Sequence, residues 1–148
     1  MPRIAANGAD LYYEVRGTGP AVLLIMGATG DGGHFDQLAD LLADEFTVIT
    51  YDRRGNGRSP APAGWTTTSP EEQADDAAAL LEALRVGPAA VFGTSSGGNF
   101  ALYLDVASEV GVSVLDEVVR IADHRRLWRD DLVGSGWSAM SCGSWCSL

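Results

Sequence analysis

Three positions spaced two apart, Gly93, Ser95 and Gly97, carry the strongest chemical signal in this 148-residue chain. A short apolar run from Ala89 to Phe92 leads into them, and a segment that reads as a helix, from Gly98 to about Ser108, follows. This is the sequence of a nucleophile elbow, a serine on a strained strand-to-helix turn whose flanking glycines leave room for neighbouring backbone. Serine is a weak nucleophile at its free pKa. Such a turn does chemistry only with a base to take the hydroxyl proton and donors for the negative charge that develops on an attacked oxygen. The histidines are His34 and His124, and only His124 lies downstream of Ser95. Cys142 and Cys146, four apart, fit neither a zinc knuckle nor a C-x-x-C redox pair and read as free thiols.

The elements that must position Ser95 follow from punctuation and periodicity. Asn7-Gly8 and the Gly17-x-Gly19-Pro20 stretch bracket Leu11 to Val15, so the first twenty residues read as an antiparallel hairpin. The continuous apolar run from Ala21 to Met26 suits a strand buried on both faces, and a glycine-rich loop, Gly27 to Gly33, comes next. Apolar residues at 35, 38, 41, 42 and 46 recur at helical spacing, Phe46 to Tyr51 reads as another buried strand, and Asp52 to Ser59 as a charged, glycine-rich turn. Ser69 as N-cap, Pro70 at the first helical position and Glu71 and Glu72 in the first turn predict a helix running to about Arg85. Strands alternating with helices after a hairpin make the fold class α/β, with the sheet parallel from the third strand on.

Composition narrows the classes of partner. The net charge of −10 comes from 20 acids against 10 bases, all arginine, which disfavours nucleic acid and anionic membrane surfaces. No apolar run approaches the roughly 18 residues of a membrane span, and the N-terminus does not read as a signal peptide, so a cytoplasmic location is expected. The Gly27 to Gly33 loop lacks the G-x-G-x-x-G spacing of a dinucleotide site, and neither a cofactor nor a metal is implied.

Over about residues 3 to 105 the chain resembles the α/β-hydrolase family. The opening hairpin, the LLIM strand with its glycine loop, the YDRRGNGRS turn, the helix from Ser69 and the VFGTSSGG elbow fall in that family's order. One departure is Met26-Gly27, where the family commonly has His-Gly. The resemblance implies that Ser95 is the nucleophile and that the backbone N–H groups of Ala28 and Ser96 form the oxyanion hole. It also implies a small-molecule acyl substrate and esterase-like acyl transfer. The DRRGNGRS turn is expected to fix loop geometry rather than to react.

The family order then demands an acid and a histidine after Ser95. His124 stands in Asp123-His124-Arg125-Arg126, where two arginines oppose an imidazolium, and reads mainly as a solvated helix-end residue. His34 opens the helix after the oxyanion loop, in the wrong chain order and at a helix N-terminus that lowers its basicity. Both are weak candidates for the base. The expected organisation is a hydrolase-like core over 1–110, a helical segment over 111–133 and an unstructured tail over 134–148, with no convincing strand after Gly111. The sheet is expected to stop after the elbow helix. The strand at Ala89 to Phe92 would then be an open apolar edge, inviting self-association. A reading-frame change or gene truncation would account for the Arg-, Trp-, Ser- and Cys-rich end, and weak or absent turnover would follow. The alternatives are a non-catalytic binding or oligomerising module, or a cofactor-free haloperoxidase or dehalogenase on the same fold.

Overall fold

The computed structural model describes residues 2–86, 88–107 and 113–114 of the chain. Strands β1 (Arg3–Ala6) and β2 (Ala9–Arg16) form the expected hairpin, turning at Asn7 (φ 46°) and Gly8 (φ 74°). Both turn residues have positive φ, the left-handed geometry that matches strand twist and that Asn-Gly adopts readily. Strands β3 (Ala21–Ile25), β4 (Thr47–Tyr51), β5 (Ala89–Gly93) and β6 (Ser113–Val114) complete a sheet of order β1-β2-β4-β3-β5-β6. The hairpin joins through an antiparallel β2–β4 pair, and β3 runs parallel to both β4 and β5, as the alternating pattern predicts.

β3 is buried throughout because both its faces are covered. Ala21, Leu23 and Ile25 belong to a core cluster with Leu80, Leu81 and Leu104, whereas Val22 and Leu24, which alternate to the opposite face, are buried outside that cluster. Helix α2 (Pro70–Ala83) buries residues 73, 74, 76, 77, 80 and 81, one helical stripe, and Ser69 caps it by accepting a hydrogen bond from the Glu72 N–H at 3.2 Å.

Two expectations need correction. The helix predicted from Phe35 to Phe46 is a 3₁₀ turn over Gly32–Phe35 followed by a short helix, α1 (Asp36–Leu42). Its end is fixed when the Leu42 carbonyl accepts from both Glu45 N–H (3.1 Å) and Phe46 N–H (2.9 Å), a tight turn that delivers Thr47 into β4. The second concerns β5, which is not an open edge along its middle. Ser113–Val114 pairs with it in parallel, Ala90 opposite Ser113 and Val91 opposite Val114, so a strand does occur after Gly111 and the premise for edge-to-edge association is removed at those positions. The remainder of the 111–133 segment and the whole of 134–148 lie outside the described residues. No helix among the described residues is long and apolar enough to cross a membrane.

Candidate active site

The elbow joins β5 to helix α3 (Ser96–Ala107) at Ser95, whose φ of 53° is left-handed, a region costly for a residue with a Cβ. What forces this geometry is packing on both sides. A Cβ on Gly93 would lie 2.2 Å from the Gly97 carbonyl oxygen, and one on Gly97 would lie 2.3 Å from the Ile25 carbonyl oxygen. Hydrogen bonds from Thr94 N–H to Ile25 O (3.1 Å) and from Gly97 N–H to Thr94 O (2.8 Å) pin the turn against the end of β3. Ser95 is thereby lifted to the surface, and its Oγ makes no hydrogen bond among the described residues.

The glycine loop after β3 meets the elbow at once. A Cβ placed on Gly27 would come within 3.0 Å of Ser95 Cβ and 3.5 Å of its Oγ, so the Gly27–Ala28 backbone passes beside the serine. Neither Ala28 N–H nor Ser96 N–H donates a hydrogen bond among the described residues, and the latter opens α3, where helix N–H groups are without intrahelical acceptors. Ser96 Oγ is buried without a hydrogen-bond partner among the described residues. Met26, standing where the resemblance implies histidine, accepts at Sδ from Thr94 Oγ1 (3.1 Å) and so ties the loop to the elbow.

His34 sits in the 3₁₀ turn with its side chain exposed, its Nδ1 3.3 Å from Asp31 Oδ1 and 3.3 Å from the Asp31 carbonyl. That contact belongs to the cap of the turn, in which Asp31 Oδ1 also accepts from Gly33 N–H at 3.0 Å. His34 is not hydrogen-bonded to Ser95, and His124 lies outside the described residues.

The turn after β4 holds the loop from behind. Fully buried Asp52 accepts at Oδ1 from Gly32 N–H (2.8 Å) and at Oδ2 from Arg58 N–H and Nε, both 2.7 Å. Burial pushes its carboxyl up, but the hydrogen bonds from Arg58 and Gly32 outweigh burial and leave it below the usual carboxylate range. Arg54 is spent on a buried pair with Asp76 on α2, at 2.6 Å from Nε to Oδ2, and on Glu72 at 2.6 Å. Arg53 and Asn56 reach the glycine loop after β3: Arg53 donates to the Gly27 carbonyl at 2.7 Å, and Asn56 Nδ2 to the Ala28 carbonyl at 3.3 Å. The sequence singles out Asp52, Arg53, Gly55 and Gly57 as tempting an active-site reading and settles on loop geometry, and it gives no sign of Asn56. The signal for the turn is its place just beyond the C-terminal end of a parallel strand, where α/β sites gather.

Similarity to known proteins agrees with this architecture. Uncharacterized hydrolase YraK of Bacillus subtilis is 42% identical over 108 residues, 73% of this chain and 40% of its own length. A Mycobacterium tuberculosis protein that carries the name non-heme bromoperoxidase BpoC is 36% identical over 122 residues, 81% of this chain and 44% of its own. Among solved structures, a thermophilic esterase from Thermogutta terrifontis superposes with a TM-score of 0.69 at 30% identity, covering 76% of this chain and 43% of that one. The chain thus spans about 40% of the length of the curated relatives it matches. Residues 20–104, more than half of the chain and the stretch from β3 through the elbow to α3, match the alpha/beta hydrolase fold, and the chain belongs to that family.

Proposed function

We propose that this chain carries the nucleophile half of a serine hydrolase that performs acyl transfer on small ester-like substrates. Ser95 Oγ attacks the carbonyl carbon, the C–O⁻ of the tetrahedral intermediate accepts from Ala28 and Ser96 N–H, and the alkoxy group leaves with the proton taken from Ser95. Water then hydrolyses the acyl-serine. The observation that carries this reading is the exposed, left-handed Ser95 with the Gly27–Ala28 backbone against it. Neither histidine is assigned as the base: His34 precedes the nucleophile, against the family order, and His124 stands beside Arg125 and Arg126, which oppose an imidazolium. For these 148 residues alone, ester turnover is therefore expected to be slow, sustained by oxyanion donors and substrate binding. The test is hydrolysis of p-nitrophenyl acetate by purified protein. Loss of the residual rate in Ser95→Ala is expected, whereas an unchanged rate would reject a serine mechanism.

The 36% identity to BpoC favours a second reading, cofactor-free halide oxidation by the same fold. Peroxide-dependent bromination of monochlorodimedone separates the two. Ester hydrolysis without bromination is the outcome expected here.

A further inference from the structure

Arg53 is one of the most buried charged groups in the fold, 5% exposed, yet no carboxylate among the described residues pairs with it. Arg54 and Arg58, its neighbours in the same turn, are both paired with acids. The Arg53 guanidinium instead lies over the Phe100 ring of α3, 5.2 Å from its centroid, and donates from NH2 to the Gly27 carbonyl at 2.7 Å. Its Nε is buried without a hydrogen-bond partner, and burial lowers the guanidinium below its ordinary pKa. A cation kept unpaired in the interior is costly, and neither the hairpin nor the α2 contacts use it.

The recipient of its hydrogen bond gives it a purpose. The Gly27 carbonyl and the Ala28 N–H belong to one trans peptide and point in opposite directions. A donor that fixes the carbonyl therefore aims the N–H the other way. A charged donor also draws electron density from the carbonyl, which makes the N–H across the same peptide a stronger donor. Gly30 N–H bonds the same carbonyl at 3.3 Å, but it is neutral and longer. We propose that Arg53 is a positioning residue of the oxyanion hole: it holds and polarises the Gly27–Ala28 peptide so that Ala28 N–H meets the developing oxyanion. This rests on the reading of Ala28 as an oxyanion donor.

The experiment uses the full chain, ¹⁵N-labelled, with Arg53→Met and Arg53→Lys beside it, each first shown to be folded by its dispersed amide spectrum. Two quantities are read: the rate at which a fluorophosphonate probe adds to Ser95, with fluoride leaving and the phosphoryl oxygen entering the hole, and the Ala28 amide proton resonance. Arg53→Met is expected to slow labelling about tenfold, less than the ~10² for deleting a donor outright, and to move the Ala28 resonance upfield. Arg53→Lys, which keeps the charge, is expected to recover most of both; a purely packing role would not be rescued by charge. Labelling of Arg53→Met at the wild-type rate, or an unmoved Ala28 resonance, overturns the proposal. If the wild-type chain takes no label, the acyl-transfer reading fails instead, and the amide resonance alone decides the role of Arg53. If Arg53→Met does not fold, Arg53→Lys decides it: labelling and an Ala28 resonance near wild type support the role, and a loss of about tenfold in rate overturns it.

Discussion

Ser95 holds a backbone conformation that its own Cβ opposes, and that conflict sets a measurable trade between stability and chemistry. At φ 53° a glycine is unstrained while alanine keeps the Cβ clash, so Ser95→Gly should be more stable than Ser95→Ala by about 1 kcal/mol in urea unfolding, with both lacking the Ser95 hydroxyl. The glycines flanking it leave no slack. Gly97→Ala would push a methyl to 2.3 Å from the Ile25 carbonyl, a backbone atom that cannot swing aside, and should cost about 3 kcal/mol, the upper end of overpacking. Gly93, Ser95 and Gly97 were legible in the sequence because an elbow needs those residue types at fixed spacing. The partner of Arg53 was not, because an arginine within a charged turn gives no sign of whether an acid or a carbonyl will meet it.

At the scale of elements, the helix α2 start and the hairpin turn could be read directly, since Ser69-Pro70 and Asn7-Gly8 encode their geometry locally. Ser69→Ala should lower stability by about 1 kcal/mol, the ordinary worth of a serine cap, with little effect on Ser95 reactivity. Where the outcome depended on distant contacts, local reading failed. Helix α1 stops at Leu42 because of the turn closed on its carbonyl, and Ser113–Val114 becomes a strand only because β5 offers a partner edge. Two residues carry too little pattern to be recognised as a strand. The turn after β4 ties β2, β4 and the glycine loop after β3 together through Asp52. Asp52→Asn should cost about 2 kcal/mol. That is less than the ~3 kcal/mol of a fully buried pair, because Arg58 stays one-third exposed and can be solvated.

For the molecule as a whole, the distribution of charge predicts how it fails in acid. Asp52, Glu14 and Glu72 all lie below their ordinary values, with hydrogen bonds from Arg58, Tyr12 and Trp65 prominent among the causes. Their folded pKa values are depressed, so the unfolded chain binds more protons at low pH. The stabilisation is fully present above the ordinary values of 3.8 and 4.5, and it is lost progressively as pH falls from there through the lower folded values. Urea midpoints should therefore hold steady down to about pH 5 and drop below it, and a midpoint that rises on acidification would contradict this distribution. The α/β class and the parallel order of the central strands were readable from alternation alone, but among the described residues no histidine follows Ser95. The proposed acyl transfer turns on the state of one hydroxyl, that of Ser95. Treating the intact chain with a fluorophosphonate probe and mapping the adduct by peptide mass spectrometry asks about it directly. An adduct confined to the peptide bearing Ser95, and absent from Ser95→Ala, is the expected result; no adduct after prolonged exposure, or one that persists in Ser95→Ala, would contradict a nucleophilic elbow in this protein.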